Sequence, residues 1–430
     1  MGIGFDFGTT NSSIAIADGN GDVHVASFSQ QGARTESFRS LLYLERVREG
    51  RRTTIKSWSG PEGIEHYLQT EEKGRLIQSL KSFLASRSLQ STEIFGRRFA
   101  LEDLVANVIR DIRLRAEEQF GCPVRDAVVG RPVRFVGAKS AADDEYAIQR
   151  LTRALNTAGF ERVEFEFEPV AAAYHYESKL DHDELILIGD FGGGTSDFSL
   201  LHVGPSIRLR GNARTVLGNQ GLALAGDAFD AKIIRYLVSP ALGAGSFLDS
   251  FGKRLPVPTW VYFKLERWHH LSFLRSSETL NMLQSVARQA AEPEKLNALL
   301  YLVRHDLGYQ LHQAVQQVKV ALSRSEHGLF EFADGDLELQ ANLSRAAFEN
   351  WISEELRAIE ERVDALLSNS GTDAREVDRV FLTGGSSFVP AVRRIFESRF
   401  GARKIRTGDE FTSVARGLAL RGLGNTRNSR

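Results

Sequence analysis

Apolar and polar positions alternate along two short stretches of this chain that are nearly the same stretch twice. Residues 2–17 read GIGFDFGTTNSSIAIA, an alternating strand, a Gly/Thr/Asn turn and a second alternating strand. Residues 185–203 read LILIGDFGGGTSDFSLLHV, with Asp-Phe-Gly at the same place. A strand-turn-strand unit that recurs once, half a chain later, predicts a duplicated α/β lobe and not a solenoid. Between the hairpins, the pattern predicts a strand at 127–129. It also predicts a helix over 101–119, whose buried face is Leu104, Val105, Val108, Ile109 and Ile112.

After Val203 the pattern turns helical, almost without interruption over 247–325. Leu307, Leu311, Val315, Val318 and Leu322 mark one buried helix face there. Gln316, Lys319, Val320 and Ser323 fall together on another, open to a ligand or a neighbour. Mixed strands and helices favour an α/β architecture. The expected plan is lobe I over 1–180 and lobe II over 181–408, with a helical insertion about 232–325. A closing helix over 409–424 and a disordered tail over 425–430 complete it.

Composition narrows the function. With 42% hydrophobic and 25% charged residues the composition is that of a globular protein, and most of the chain is expected to fold. A net charge of -1 gives no global attraction to nucleic acid or to an anionic membrane, so a ligand has to be held by a local site. Arginines between 110 and 115 are not interleaved with aromatics, and the adjacent His269 and His270 point to different helix faces, a poor metal pair. The single cysteine, Cys122, excludes an internal disulfide and suggests a reducing compartment. Neither a signal-peptide pattern nor an apolar run of membrane-spanning length is found. The expected location is cytoplasmic.

The turns carry the candidate chemistry. A turn rich in Gly, Thr and Ser lets backbone N–H groups converge on an anion with no Cβ in the way, and two such turns across a cleft could grip the phosphates of a nucleotide. Asp6 and Asp190 end the strands that lead into them, either capping their own turns or reaching Mg2+ directly or through its water shell. Asp197, two residues after Thr195, adds a third carboxylate. Glu168 opens the segment EPVAAAY; capping and the helix dipole suffice for it in isolation, and its position about twenty residues before the second hairpin is what makes it a candidate. The stretch VFLTGGSSFVPAVRRIFESRF at 380–400 reads as a strand, a Gly-Gly turn able to approach a ribose or phosphate, and a helix.

Taken in this order, GFDFGTTNS, EPVAAAY, GDFGGGTSDFS and LTGGSSFVP resemble the first phosphate, connecting, second phosphate and adenosine motifs of the heat-shock protein 70 family, typified by DnaK, within the actin-like ATPase superfamily. The segment AGDAFD at 225–230 is a fainter match. The resemblance implies an α/β, two-lobed actin-like ATPase fold, ribonuclease H-like and duplicated, with an inserted, mostly helical subdomain. It implies ATP or ADP with Mg2+ as the ligands. Gly8, Thr9, Thr10 and Asn11 would line one phosphate loop, with Gly192, Gly193, Gly194 and Thr195 opposite. Gly226, Lys319, Ser323, Gly384, Gly385, Ser386 and Phe388 would serve the rest of the nucleotide. Asp6, Asp190 and Asp197 would organise the metal. Lys81, Glu168, Asp190 and Thr195 would carry hydrolysis, although Lys81 in LKSF also reads as a solvated helix lysine.

The departures are specific. Gln316 and Val320 stand where the family has charged residues around adenine, while Lys319 and Ser323 are retained. Phe388 replaces an arginine that stacks on the base, keeping a ring but not its cation. The residues after Pro390 suffice for a closing helix and not for the family's linker and peptide-binding sandwich, as in its truncated, YegD-like members. The implied function is slow ATP hydrolysis that switches cleft closure in a chaperone-like protein without its own peptide-binding domain. Its partners would be nucleotide and unfolded or partner proteins, with no nucleic acid and no membrane. A nucleotide-dependent actin-like filament or scaffold, a small-substrate kinase and a nucleotide-binding pseudoenzyme are the competing readings.

Overall fold

The structure, a computed structural model, describes residues 1–30, 33–49, 52–70, 74–177, 180–209, 215–250, 253–267, 270, 274–407 and 413–428. His269 therefore lies outside the described residues. The chain divides into two compact units, Met1–Ala225 with Ala358–Ser387 and Val392–Arg430, and Gly226–Arg357 with Phe388–Ala391.

Both repeated hairpins lie in the first unit, each at the centre of its own sheet. The first sheet contains β1 (Gly2–Asp6), β2 (Asn11–Ala17), β3 (Val23–Val25), β4 (Asp126–Arg131) and β5 (Arg162–Phe167) in the order β5-β4-β1-β2-β3, and Phe38–Arg39 also pairs with β2. The second contains β6 (Glu184–Phe191), β7 (Ser196–Val203), β8 (Thr215–Leu222), β9 (Arg379–Thr383) and β10 (Ile405–Thr407) in the order β10-β9-β6-β7-β8. In each, a hairpin supplies the antiparallel centre, and two parallel strands extend from its first strand. The match extends to register: Asp6 faces Ser13 across the first hairpin as Asp190 faces Asp197 across the second. The duplicated α/β lobe expected from the sequence is thus present, strand for strand.

Strands β4 and β6 are buried almost continuously, as parallel strands covered on both faces are. Helix Leu101–Phe120 buries Leu104, Val105, Val108, Ile109 and Ile112 against the first sheet, joined by helix Ala141–Ala158. The latter starts at Ser140, whose hydroxyl accepts from the Asp143 amide, and stops at Gly159 in the left-handed conformation. Helix Glu168–Glu177 belongs to two cores. Val170 and Ala173 pack on Ile186, Ile188, Leu201 and Val203 of the second sheet, and Ala171 packs with Val128, Val414 and Leu418. Each of the valine, leucine and isoleucine side chains removed from water here contributes roughly 1.5–3 kcal/mol, so this short helix ties the two sheets together.

Helix Ser413–Asn428 closes the unit. It lies so near β1 that a Cβ on Gly2 or Gly4 would overlap its backbone, and one on its own Gly417 would overlap the carbonyl oxygen of Ala171. Its backbone is helical through residues 425–428, where the sequence suggested a disordered tail. Apolar positions Ala415, Leu418, Ala419 and Leu423 hold it down.

In the second unit, helices Ser277–Gln289, Pro293–Arg304 and Gly308–Arg324 follow the expected pattern, and Leu307, Leu311, Val315, Val318 and Leu322 are all buried. The expectation of nearly continuous helix over 247–325 needs correction at its start. Phe247–Ser250 and Lys253–Pro256 pair as an antiparallel hairpin. Phe247 and Leu255 are exposed, so hydrophobicity did not mark these residues as strands with a buried face. Among the described residues no helix is long and apolar enough to cross a membrane.

Candidate functional site

The antiparallel register of each hairpin determines what its turn can present. After Asp6 the chain passes through Phe7, Gly8, Thr9 and Thr10 into β2. Gly8 donates its amide to the Ser12 hydroxyl at 3.2 Å, and a Cβ on Gly8 would overlap the Asn11 carbonyl. Glycine is required there because the turn folds back on itself. In the second turn the Gly192 amide donates to the Thr195 carbonyl at 2.9 Å, leaving Gly193 and Gly194 at the tip. The tips approach each other: a Cβ on Gly194 would lie 3.9 Å from Cγ2 of Thr9 and 3.6 Å from Oγ of Ser82. Asn11 accepts from Arg39 at 3.3 Å, a partner the sequence reading did not include.

Beneath the turns, charged side chains from five segments meet. Lys81 lies in the one-turn helix Leu80–Phe83, entered through Ser79 in the left-handed conformation, with φ of 54°. Its ammonium donates to Oε1 of Glu168 at 2.6 Å, and the two residues are only 6% and 8% exposed. The solvated-lysine alternative is excluded by this burial. Burial pulls the Lys81 pKa down, but the charges of Glu168 and Asp6 and the bond to Glu168 outweigh it and hold the lysine above its ordinary value.

The carboxyls respond in the opposite sense. Burial pushes Asp6 well above the usual carboxylate range, with Glu168 and Asp190 adding to the shift and Lys81 opposing it. Asp190 is raised to about 6 by burial and then by Glu168, against a hydrogen bond from the Thr383 hydroxyl. That bond is 2.7 Å long and follows from parallel pairing, which sets Asp190 beside Thr383. Asp197, 1% exposed, is likewise raised well above its ordinary value by burial and by Glu168 and Asp190. It accepts from the amides of Val133 at 3.0 Å and Arg134 at 3.4 Å, and Thr195 opposes its shift through a side-chain hydrogen bond.

Four carboxyl groups therefore share one small volume with Lys81 as the cation bonded among them, and three of the four are held back from ionising. Such a set attracts a hard cation by its oxygen chemistry. Among the described residues no three His, Cys, Asp or Glu side chains form a ready metal cage. A Mg2+ ion fits this description, since it keeps several waters and completes its shell with phosphate oxygens. Asp6, Asp190 and Asp197 are the residues that could face it.

Two groups at this site escaped the sequence reading. Thr383 lies in the quoted LTGG string, but its contact with Asp190 depends on strand order, which a string does not reveal. The Pro132–Arg134 turn holds Asp197 through backbone amides, which carry no residue signature.

The remaining candidates divide by unit. In the first, Gly384 has φ of 80° and sits so close to Phe191 that a Cβ would overlap the Phe191 carbonyl, which places the Gly-Gly turn at the end of β6. Gly385 and Ser386 continue from it in a short helical turn, with Ser386 buried. In the second unit, the Lys319 ammonium pairs with Asp230 at 2.6 Å and reaches the Gly226 carbonyl at 3.4 Å, bringing two predicted contacts together. Ser323 donates to the Val320 carbonyl, and Phe388 presents a ring that is 51% exposed.

A family model described as Hsp70 protein matches residues 66–244 and 304–424. Lys81, Glu168 and the entire second hairpin fall within these residues. The first hairpin falls outside them and is tied to the second by topology and register.

Proposed function

Because this chain belongs to the Hsp70 protein family, we propose that it is a Mg2+-dependent ATPase that binds ATP and ADP between its two glycine turns and hydrolyses ATP slowly. It is a nucleotide-binding protein of a chaperone family. Its nucleotide state would set its affinity for unfolded or partner proteins. One observation carries this reading: a buried lysine bonded to Glu168 among three carboxyls that resist ionising.

Phosphoryl transfer asks mainly for positioning and charge stabilisation. The amides of the two turns are suited to holding terminal phosphate oxygens. Lys81, kept charged by its neighbours, is the group offered to the transferred phosphoryl. Glu168 is offered to the attacking water, which it would orient while accepting its proton as the bond between the γ-phosphorus and the bridging oxygen breaks. Bound Mg2+ supplies charge neutralisation on the phosphates, faced by Asp6, Asp190 and Asp197. Thr195 and Thr383 hold Asp197 and Asp190 in place. For the base and ribose, Gly226, Lys319, Ser323, Gly384, Gly385, Ser386 and Phe388 are proposed on the resemblance alone.

The test is phosphate release from Mg2+ and ATP by the purified chain. Asp190→Asn is expected to lower it by at least about 100-fold while the protein stays folded, the size of effect that loss of a preorganised charge gives. No release from the wild-type chain, or full release from the variant, rejects the reading.

A further inference from the structure

The geometry points to a second anion site, for a ligand carrying several phosphate groups, on the hairpin strands Leu41–Glu49 and Arg52–Ser59. These strands, together with the hairpin Ser91–Ile94 and Arg97–Ala100, border a cavity of about 660 Å3 lined by Arg46, Thr53, Thr54, Ile55, Phe95 and Arg97. Among the described residues no carboxylate pairs with Arg46, Arg48 or Arg97.

The register explains why these arginines are left over. Directly opposed residues of an antiparallel pair share a face. Glu45 stands opposite Lys56, and Glu93 opposite Arg98, so each acid meets a cation on its own face. Arg46 stands opposite Ile55, Arg48 opposite Thr53 and Arg97 opposite Ile94, so the other faces carry arginine with apolar or hydroxyl neighbours. Those faces contain Arg46, Thr53, Ile55 and Arg97 of the cavity wall.

The turn between the second pair of strands supports the same conclusion. Phe95 and Gly96 both have positive φ, at 53° and 78°. A two-residue hairpin loop of this kind favours Asn or Asp at its first position, so a phenylalanine there is strained and invites a functional explanation. Its carbonyl accepts from Arg46 at 3.4 Å, and the guanidinium carbon lies 5.3 Å from the ring centre. Phe95 therefore fixes Arg46 at the edge of the cavity. Arg97 rests over Phe99 in the same manner, at 5.4 Å. Arginine forks held on aromatic faces, with threonine hydroxyls between them, suit phosphate oxygens. The volume has room for more than one phosphate.

The test is calorimetric titration with inorganic tripolyphosphate at low salt, run in parallel with orthophosphate and a hexaglutamate peptide. Mg2+ and ADP are present throughout to fill the nucleotide site. Tripolyphosphate is expected to bind one to one, more tightly than orthophosphate or hexaglutamate. Affinity is expected to fall at least about tenfold in Arg46→Ala or Arg97→Ala and to vanish in the double variant, since each lost charge-assisted pair is worth about a factor of ten or more. Arg98→Ala, on the opposite face, keeps it. The proposal is overturned by no binding to wild type, by binding that survives in the double variant, by equal loss in Arg98→Ala, or by tighter binding of hexaglutamate. Arg46 and Arg97 are outside the Lys81 cluster, so this outcome is independent of whether the chain hydrolyses ATP.

Discussion

Lys81 and Glu168, 87 residues apart in the chain, form a buried ion pair 2.6 Å long. Removing one partner of such a pair strands the other charge, at a cost of about 3–5 kcal/mol. Lys81→Met is therefore expected to lower the unfolding temperature as well as to abolish ATP hydrolysis. Adding Glu168→Gln to that variant should restore much of the stability and none of the activity. Calorimetric melts of the two single variants and the double one, beside phosphate-release assays, check both halves. Strictly additive destabilisation would contradict the pairing.

Asp190 predicts a dependence on pH. Its folded pKa is about 6 against 3.8 for an ordinary aspartate. Below the lower value both states hold the proton; between the two, only the folded state keeps it. Stability is thus greatest on the acid side and is lost as pH rises through this window, by on the order of 3 kcal/mol for a shift of this size. Asp190→Asn should flatten the pH profile of nucleotide-free protein between pH 4 and 7 and raise its stability at neutral pH. Denaturant titrations at a series of pH values measure this directly. A profile unchanged by the substitution would remove the burial argument.

The proposed metal site makes a prediction of its own from the same crowding of carboxyls. A ligand that binds only the folded state stabilises it by about 2.7 kcal/mol at a hundred times its dissociation constant. ADP with Mg2+ is expected to raise the melting temperature more than ADP with a chelator. That difference should shrink in Asp190→Asn and Asp197→Asn. Equal melting temperatures with and without Mg2+ in the wild-type chain would argue against the metal assignment.

Gly417 offers a steric prediction. Its alanine variant would drive a methyl group into the Ala171 carbonyl on the helix that carries Glu168. The backbones would have to separate, at a cost on the order of 3 kcal/mol. Glu168 would move with its helix, so hydrolysis should fall although Gly417 touches no phosphate. A variant with wild-type melting and activity would show that the helices can part freely.

The duplicated hairpins were legible because backbone chemistry wrote them into residue identity: glycines where a turn folds on itself, aspartates where strands end. The helix face from Leu307 to Leu322 was legible by period. Lys81 was ambiguous because LKSF has the same letters whether its lysine is wet or buried, and its burial depends on Ser79 turning the chain through a left-handed residue. The Asp197 cradle was invisible because peptide amides at 133 and 134 form it. The hairpin at 247–256 was missed because two of its large apolar side chains face solvent, so its alternation reports no core. For Thr383 and the Asp197 cradle, what escaped notice is an interaction between segments distant in sequence; for the hairpin it is a local pairing that leaves its apolar side chains in water.

The glycine face of β1 implies something about the order in which this protein matures. A ribosome releases Gly2–Asp6 long before Ser413–Asn428, the helix that covers it, has been made. Until then the strand that ends in Asp6 keeps one side bare, and assembly of the charged cluster around Lys81 waits on a docking event between opposite regions of the polypeptide. Slow, late-completing maturation, with a need for protection of the growing chain, is the natural result.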